Sequence, residues 1–179
     1  ELYDERQAEL MDEYEEKGVT PPEVSAGDRL EQMFGAVGER SYQREVYLEV
    51  AQVLFDQAAW QKYVPIAKRV IELDPMHPDN PNVAMNIIAA YDQLGREKLA
   101  EGAAAREALF TTYGPGTEWQ EANKNRPSVI RKAMKLAQDA LISSALFRLD
   151  LAQKYFQEEK VALASEEARV AAKMLADYI

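Results

Sequence analysis

The feature that most constrains this chain is the stretch from Glu45 to Pro75, EVYLEVAQVLFDQAAWQKYVPIAKRVIELDP. Tyr47, Val50, Ala51 and Leu54 recur at three- and four-residue steps, which gathers them on one face of a helix. A turn is expected at Asp56–Ala59. Beyond it the same spacing returns in Tyr63, Ile66, Ala67, Val70 and Leu73, and Asp74-Pro75 stops the second helix. Ala51 and Ala67 are small enough to let the two antiparallel helices approach closely. One hairpin of this size cannot bury both of its faces, so the pattern predicts neighbouring hairpins and hence a helical repeat.

The rest of the composition points the same way. The chain has 179 residues, 47% of them hydrophobic, and only eight glycines, enough for a substantial core and too apolar for disorder. Helix formers dominate and no convincing period-two strand is present, so the predicted class is all-α. The net charge of −10 comes without a basic stripe, which argues against a nucleic-acid partner. Residues 1–17 hold eight acids against Arg6 and Lys17, the signature of a solvated helix face. Without cysteine there can be no disulfide and no thiolate metal site. No apolar run approaches the ~18 residues of a membrane span. The chain opens at Glu1 without an initiator methionine and stops at Ile179 inside an amphipathic pattern, so a piece of a longer chain is expected.

Val50-Ala51 form a large-then-small pair, Leu54 follows at the next inward position, and Trp60 is the aromatic opening the second helix. With the closing run Val70-Ile71-Glu72-Leu73-Asp74-Pro75, these residues make the stretch resemble the tetratricopeptide repeat. One departure is that Tyr63 stands where the family carries a small residue and Ala67 where it carries an aromatic. A second copy is traced in Asn82–Ala108. There Ala90-Tyr91-Asp92-Gln93-Leu94-Gly95-Arg96 supplies the aromatic, turn glycine and helix start, and Ala100 and Ala104 the small residues. Leu54 maps to Tyr91 and Ala67 to Ala104, a shift of 37 residues against a family period of about 34. The excess falls in the loop His77–Asn80. Glu97 replaces the opening aromatic. A faint third copy places Ala168 and Tyr178 65 residues after Ala103 and Tyr113.

The expected organisation is then as follows: acidic and capping helices over 1–40, two hairpins over 41–113, a Gly/Pro linker with a short helix over 114–126, and a long helix plus C-terminal helix over 127–179, the third, divergent repeat. In the first segment, a helix over 2–17 has Leu2, Leu10 and Tyr14 inward and ends at Gly18. Ser25 and Asp28 cap a short helix carrying Leu30, Met33, Phe34 and Val37, which Gly38 ends. Ser41 is the expected cap of the next helix. Asn80 is expected to cap the second hairpin, with Pro81 at its first position. Thr117 caps a turn through Trp119. Asn125 or Arg126 with Pro127 opens a helix of roughly 45 Å at about 1.5 Å per residue, amphipathic to about Phe156. A final helix runs from Val161 to Tyr178. Tyr113-Gly-Pro-Gly-Thr-Glu-Trp119, Asn123 and the alanine-rich helix beyond are similar to a linker in large tetratricopeptide proteins of bacterial envelopes, gliding-motility machinery included. That resemblance, over residues 81–179, implies a scaffold in an envelope assembly; it favours a periplasmic or envelope-associated location over a cytoplasmic one.

Catalytic material is sparse. His77 is the sole histidine; Asp74 and Asp79 lie near it, but a transition-metal site recruits more ligands, and a solvated loop residue is expected. Ser25, Ser41, Ser128, Ser143, Ser144 and Ser165 sit in no nucleophile elbow. The acid pairs Glu15-Glu16, Glu158-Glu159 and Glu166-Glu167 read as surface charge. Gly35–Gly38 and Gly114–Gly116 lack the lysine of a phosphate loop. The expectation is a non-enzyme with no metal and no cofactor. Trp60, Tyr63 and Tyr91 are read as packing residues. Trp119 either plugs the linker onto the long helix or presents a binding anchor.

The tetratricopeptide resemblance implies a concave surface lined by the first helix of each repeat. Its exposed positions here are Glu45, Leu48, Glu49, Gln52, Phe55 and Asp56, then Asn82, Met85, Asn86, Ala89, Asp92 and Gln93. Leu48, Phe55 and Met85 would be its apolar anchors. Among these positions only Asn86 suits the carboxylate clamp of the co-chaperone branch, whose basic residues are missing. The acidic surface fits a basic or amphipathic protein segment. Two alternatives stand beside this scaffold: a homo-oligomerisation module pairing through the Leu141–Leu149 face, and the helical accessory domain of a larger enzyme.

Overall fold

In a computed structural model of the chain, residues 8, 9, 12–20, 24–38 and 40–178 are described. Among them no strand occurs. The helices are α1 (Ala26–Val37), α2 (Gln43–Asp56), α3 (Trp60–Leu73), α4 (Asn80–Leu94), α5 (Leu99–Tyr113), α6 (Glu118–Ala122), α7 (Pro127–Gln157) and α8 (Val161–Tyr178), with a 3-10 turn at Gly95–Lys98. Residues 8–9 and 12–16 are also helical, and Tyr14 is half-buried. Leu2 and Leu10, expected inward there, lie outside the described residues. None of the helices among the described residues is long and apolar enough to cross a membrane. The chain divides into two compact units, Glu1–Leu73 and Asp74–Ile179. The hairpins expected as one array over 41–113 thus belong to different units.

In the first unit, Ser25 caps α1. Its hydroxyl oxygen accepts from the Asp28 N–H at 3.1 Å and its O–H donates to the Asp28 carboxylate at 2.7 Å. Gly38, at φ 76°, ends the helix. Leu30 and Phe34 are buried, and the Phe34 ring stacks on Tyr47 at 5.9 Å between centroids. Ser41 does not cap α2: Tyr42 holds the cap position without a side-chain bond. The turn after α2 has Ala58 in the left-handed region at φ 53°, and the Ala59 N–H closes it on the Leu54 carbonyl at 2.9 Å. Ala51 and Ala67 are 2% and 0% exposed, so the small residues do lie where α2 packs on α3. Tyr63 is buried as well, edge-on to Phe55. Pro65 sits inside α3 and has no N–H, which deprives the Gln61 carbonyl of its helical donor.

The second unit is built around a pinned loop and a long helix. Asp79, not Asn80, occupies the cap position of α4, and Pro81 is its second residue. Asn80 is 0% exposed, and its amide donates to the carbonyls of Asp74 (2.7 Å) and Pro75 (3.1 Å). Burial decides the difference: main-chain acceptors turned inward need donors, and this side chain supplies them. Ala100 and Ala104, expected as the small inward residues of α5, are exposed. The close approach falls at Gly102 instead, where an added Cβ would stand 3.4 Å from Tyr91 Cβ. Because α5 packs against both α4 and α7, its buried residues Gly102, Ala103, Leu109 and Tyr113 do not form a single stripe.

α7 has 31 residues, about 46 Å at ~1.5 Å per residue, with Arg126 at its cap and Pro127 at its start. Its buried face is nearly all small: Ala133, Ala137, Ala140, Ser144, Ala145 and Ala152, with Leu141. The turn into α8 puts Glu159 at φ 58°. Leu141 and Ala145 then pack with Met174, flanked by Phe110, Val170 and Leu175. Arg148 ties three helices together through Glu107 of α5 (2.5 Å) and Glu167 of α8 (2.8 Å). Burial pulls the guanidinium's pKa down, but hydrogen bonding to the two carboxylates outweighs it and the net shift is upward.

Candidate docking surfaces

The six α2 positions share one helix face because they follow 3.6-residue spacing. Glu45, Glu49, Gln52 and Asp56 are exposed, and Leu48 and Phe55 are half-buried. Phe55 is fixed from behind: Trp60 and Tyr63 both meet its ring edge-on at 5.1 Å between centroids. Gln52 donates to Asp56 at 2.8 Å along the same face. The result is a carboxylate-edged strip with an immobilised aromatic at its C-terminal end.

The six α4 positions are less open. Met85, expected as an exposed anchor, is half-buried against a core of Ile88, Leu109, Tyr113, Trp119, Ala133 and Ala140. The reason is α7: its alanine face needs an apolar wall, and α4 and α5 provide it. Asn82 donates to the Asp79 carboxylate and lines a cleft of about 240 Å³ with Pro78, Val129, Lys132 and Leu136. Asn86 and Ala89 are half-buried. Asp92 is exposed but holds a two-oxygen contact from Arg106 at 2.5 and 2.7 Å, and Gln93 is exposed.

Trp119 is a plug. It is 1% exposed, meets Tyr113 edge-on at 5.3 Å, and its indole N–H donates to the His77 carbonyl at 2.9 Å. No surface remains for an anchor role. His77, expected as a solvated loop residue, is half-buried and its Nδ1 accepts from the Asp79 N–H at 3.1 Å. Asn123 completes the arrangement. Its amide N–H groups donate to Met76 (2.9 Å) and Trp119 (3.0 Å), and its oxygen accepts from Arg126 at 3.1 Å. Trp119, Asn123 and Asn80 thus each donate to a carbonyl of residues 74–77. In the sequence Asn123 stands one helical turn after Trp119 and belongs to the linker-like motif, but nothing there pointed to its bond to the Met76 carbonyl. Among the described residues no group of three or more His, Cys, Asp or Glu is placed to hold a metal ion.

Compared with family models, curated proteins and solved structures, the chain matches none.

Outward apolar residues concentrate elsewhere. Leu146, Leu149 and Phe156 of α7 are 55%, 40% and 68% exposed, and Val161 and Leu163 of α8 are exposed beside that end of the hairpin. Leu141, expected at the head of a Leu141–Leu149 pairing face, is buried against α8 and unavailable.

Proposed function

We propose that this chain is a non-enzymatic, tetratricopeptide-like scaffold that docks a basic or amphipathic protein segment. The observation that carries the reading is the α2 strip, where exposed Glu45 and Glu49 flank half-buried Leu48 and an aromatic, Phe55, already immobilised by Trp60 and Tyr63. A pre-ordered anchor loses little side-chain entropy on binding, and carboxylates at its rim steer a cationic partner. The likeness of residues 81–179 to envelope linkers supports a place in a bacterial envelope or motility assembly.

The test is affinity capture from cell extract with the wild-type chain beside Leu48→Glu and Glu45→Lys/Glu49→Lys variants, each checked by circular dichroism. A basic partner held by the wild type and lost by both variants, with salt sensitivity reduced by charge reversal, supports the docking strip. Equal capture by all three refutes it.

A second reading rests on a different observation. Leu146, Leu149 and Phe156 lie at steps of three and seven along α7 and stay exposed, the spacing of a helix–helix seam. Under that reading the chain self-associates, and Leu146→Glu/Leu149→Glu turns a dimer into a monomer by light scattering. A monomeric wild type rules it out.

A further inference from the structure

The first unit contains a cavity of about 260 Å³ enclosed by the start of α1, by Tyr47 of α2, and by one face of α3. It is separate from the docking strip, and what lines it is chemically unusual. Tyr47 is 1% exposed, yet its hydroxyl is a buried atom that makes no hydrogen bond. The Nε of Arg69 is in the same condition, although another nitrogen of that guanidinium reaches Glu72 at 3.2 Å. Both side chains line the cavity. The two side chains are close enough to act on each other, but the Tyr47 hydroxyl still has no acceptor in place for its own proton, and a buried donor in that state is costly. The opening turn of α1, Ser25 to Asp28, faces the same space and adds the positive end of a helix.

The cavity also offers acceptors. Gln61 and Pro65 line it, and the missing N–H of Pro65 leaves the Gln61 carbonyl without its helical donor. The Glu31 carboxylate lies at the rim, close enough to act on Tyr47. Burial and, second, the Glu31 charge push the tyrosine pKa above its ordinary value, which keeps the hydroxyl protonated as a donor. With Lys62 and Arg69 set against Asp28 and Glu31, the lining is balanced in charge, and Ile66, Ala26 and Pro65 give it an apolar floor. A simple anion would meet two carboxylates and a simple cation two bases. A ligand carrying both charges at once meets neither penalty.

We propose that this cavity binds a free, zwitterionic α-amino acid with a small apolar side chain: carboxylate to the Tyr47 hydroxyl, the Arg69 Nε–H and the α1 N-terminus, ammonium to the Gln61 carbonyl and Glu31. At about 260 Å³ the space falls just below the ~300–1,000 Å³ of sites for drug-sized ligands and suits a smaller metabolite.

The experiment is calorimetric titration of the intact chain with leucine, N-acetyl-leucine and leucinamide, repeated on Tyr47→Phe and Glu31→Gln. Tyr47→Phe keeps the buried ring and removes only the hydroxyl with its interaction with Arg69, and Glu31 is exposed, so both variants retain the fold. Leucine is expected to bind, with each blocked analogue about tenfold or more weaker, one lost charge contact being worth roughly that factor. Tyr47→Phe should weaken leucine about tenfold, and Glu31→Gln should narrow the gap between leucine and N-acetyl-leucine. Absence of leucine binding at about 10 mM, where even a weak ~4 kcal/mol interaction would register, overturns the proposal. Equal binding of leucine and N-acetyl-leucine, or undiminished binding by Tyr47→Phe, also overturns it. None of these outcomes bears on the α2 strip.

Discussion

Replacing Asn123 by alanine should unfasten the loop of residues 74–81 from the second unit. Three hydrogen bonds disappear, but they are not equal. The Arg126 guanidinium is exposed and turns to water at almost no cost. The Trp119 carbonyl keeps a main-chain donor, the N–H of residue 123 at 3.1 Å, so its loss is roughly a few tenths of a kcal/mol. The Met76 carbonyl accepts from Asn123 at 2.9 Å and would be orphaned, at a cost of about 1–3 kcal/mol. The void left at a 1%-exposed site adds about 1 kcal/mol. The total is about 2–4 kcal/mol, which at a urea slope of ~2 kcal/mol/M moves the midpoint down by about 1–2 M. The assay is urea unfolding followed by Trp119 fluorescence in a Trp60→Phe background, because these are the two tryptophans. Arg126→Ala, as control, should stay within about 0.5 kcal/mol of that background, as exposed positions do. Asn123→Asp should be worse than alanine, since it sets a carboxylate against two carbonyl oxygens. An Asn123→Ala midpoint indistinguishable from the control would refute the idea that this side chain holds the loop.

Arg148→Leu leaves Glu107 and Glu167 facing each other in a partly buried site and should cost about 2–4 kcal/mol, reduced from the fully buried case by the arginine's 22% exposure. Arg148→Lys should restore only part of it, because one ammonium cannot span both carboxylates as the guanidinium does; urea midpoints decide. Gly102→Val places a branched side chain where a single Cβ already stands 3.4 Å from Tyr91 and should destabilise by about 1–3 kcal/mol despite better helix propensity, read from thermal melts. Tyr47, its pKa raised by burial and by Glu31, should ionise above the ordinary tyrosine range in an ultraviolet titration. The sign follows: its neutral form is favoured in the folded state, so this stabilisation is complete below pH 10 and is lost as pH rises through the raised value. Tyr47→Phe should show no such component, and equal alkaline losses in both proteins would contradict it.

What the sequence determined by itself was local. The caps at Ser25 and Thr117, the stop at Asp74-Pro75, the start of α7 at Pro127 and the span Val161–Tyr178 of α8 follow from residues within a turn of one another. Helix periodicity likewise identified Ala51, Ala67, Tyr63 and Leu54 as core, because α2 and α3 are sequence neighbours that bury each other's stripes. Tertiary structure decided wherever a helix has a second, distant partner. α5 lies between α4 and α7, so the inward small residue became Gly102, not Ala100 or Ala104. α7 needs a wall for its alanines, so Met85 left the surface and Leu141 turned toward α8. The same holds for the polar side chains. Nothing adjacent to Asn80, Asn123 or Tyr47 in sequence says whether it meets water, a carbonyl or a cavity. The partner of a buried donor is set by which backbone the fold brings within 3 Å of it, and that backbone lies 42 residues from Trp119 and 47 from Asn123.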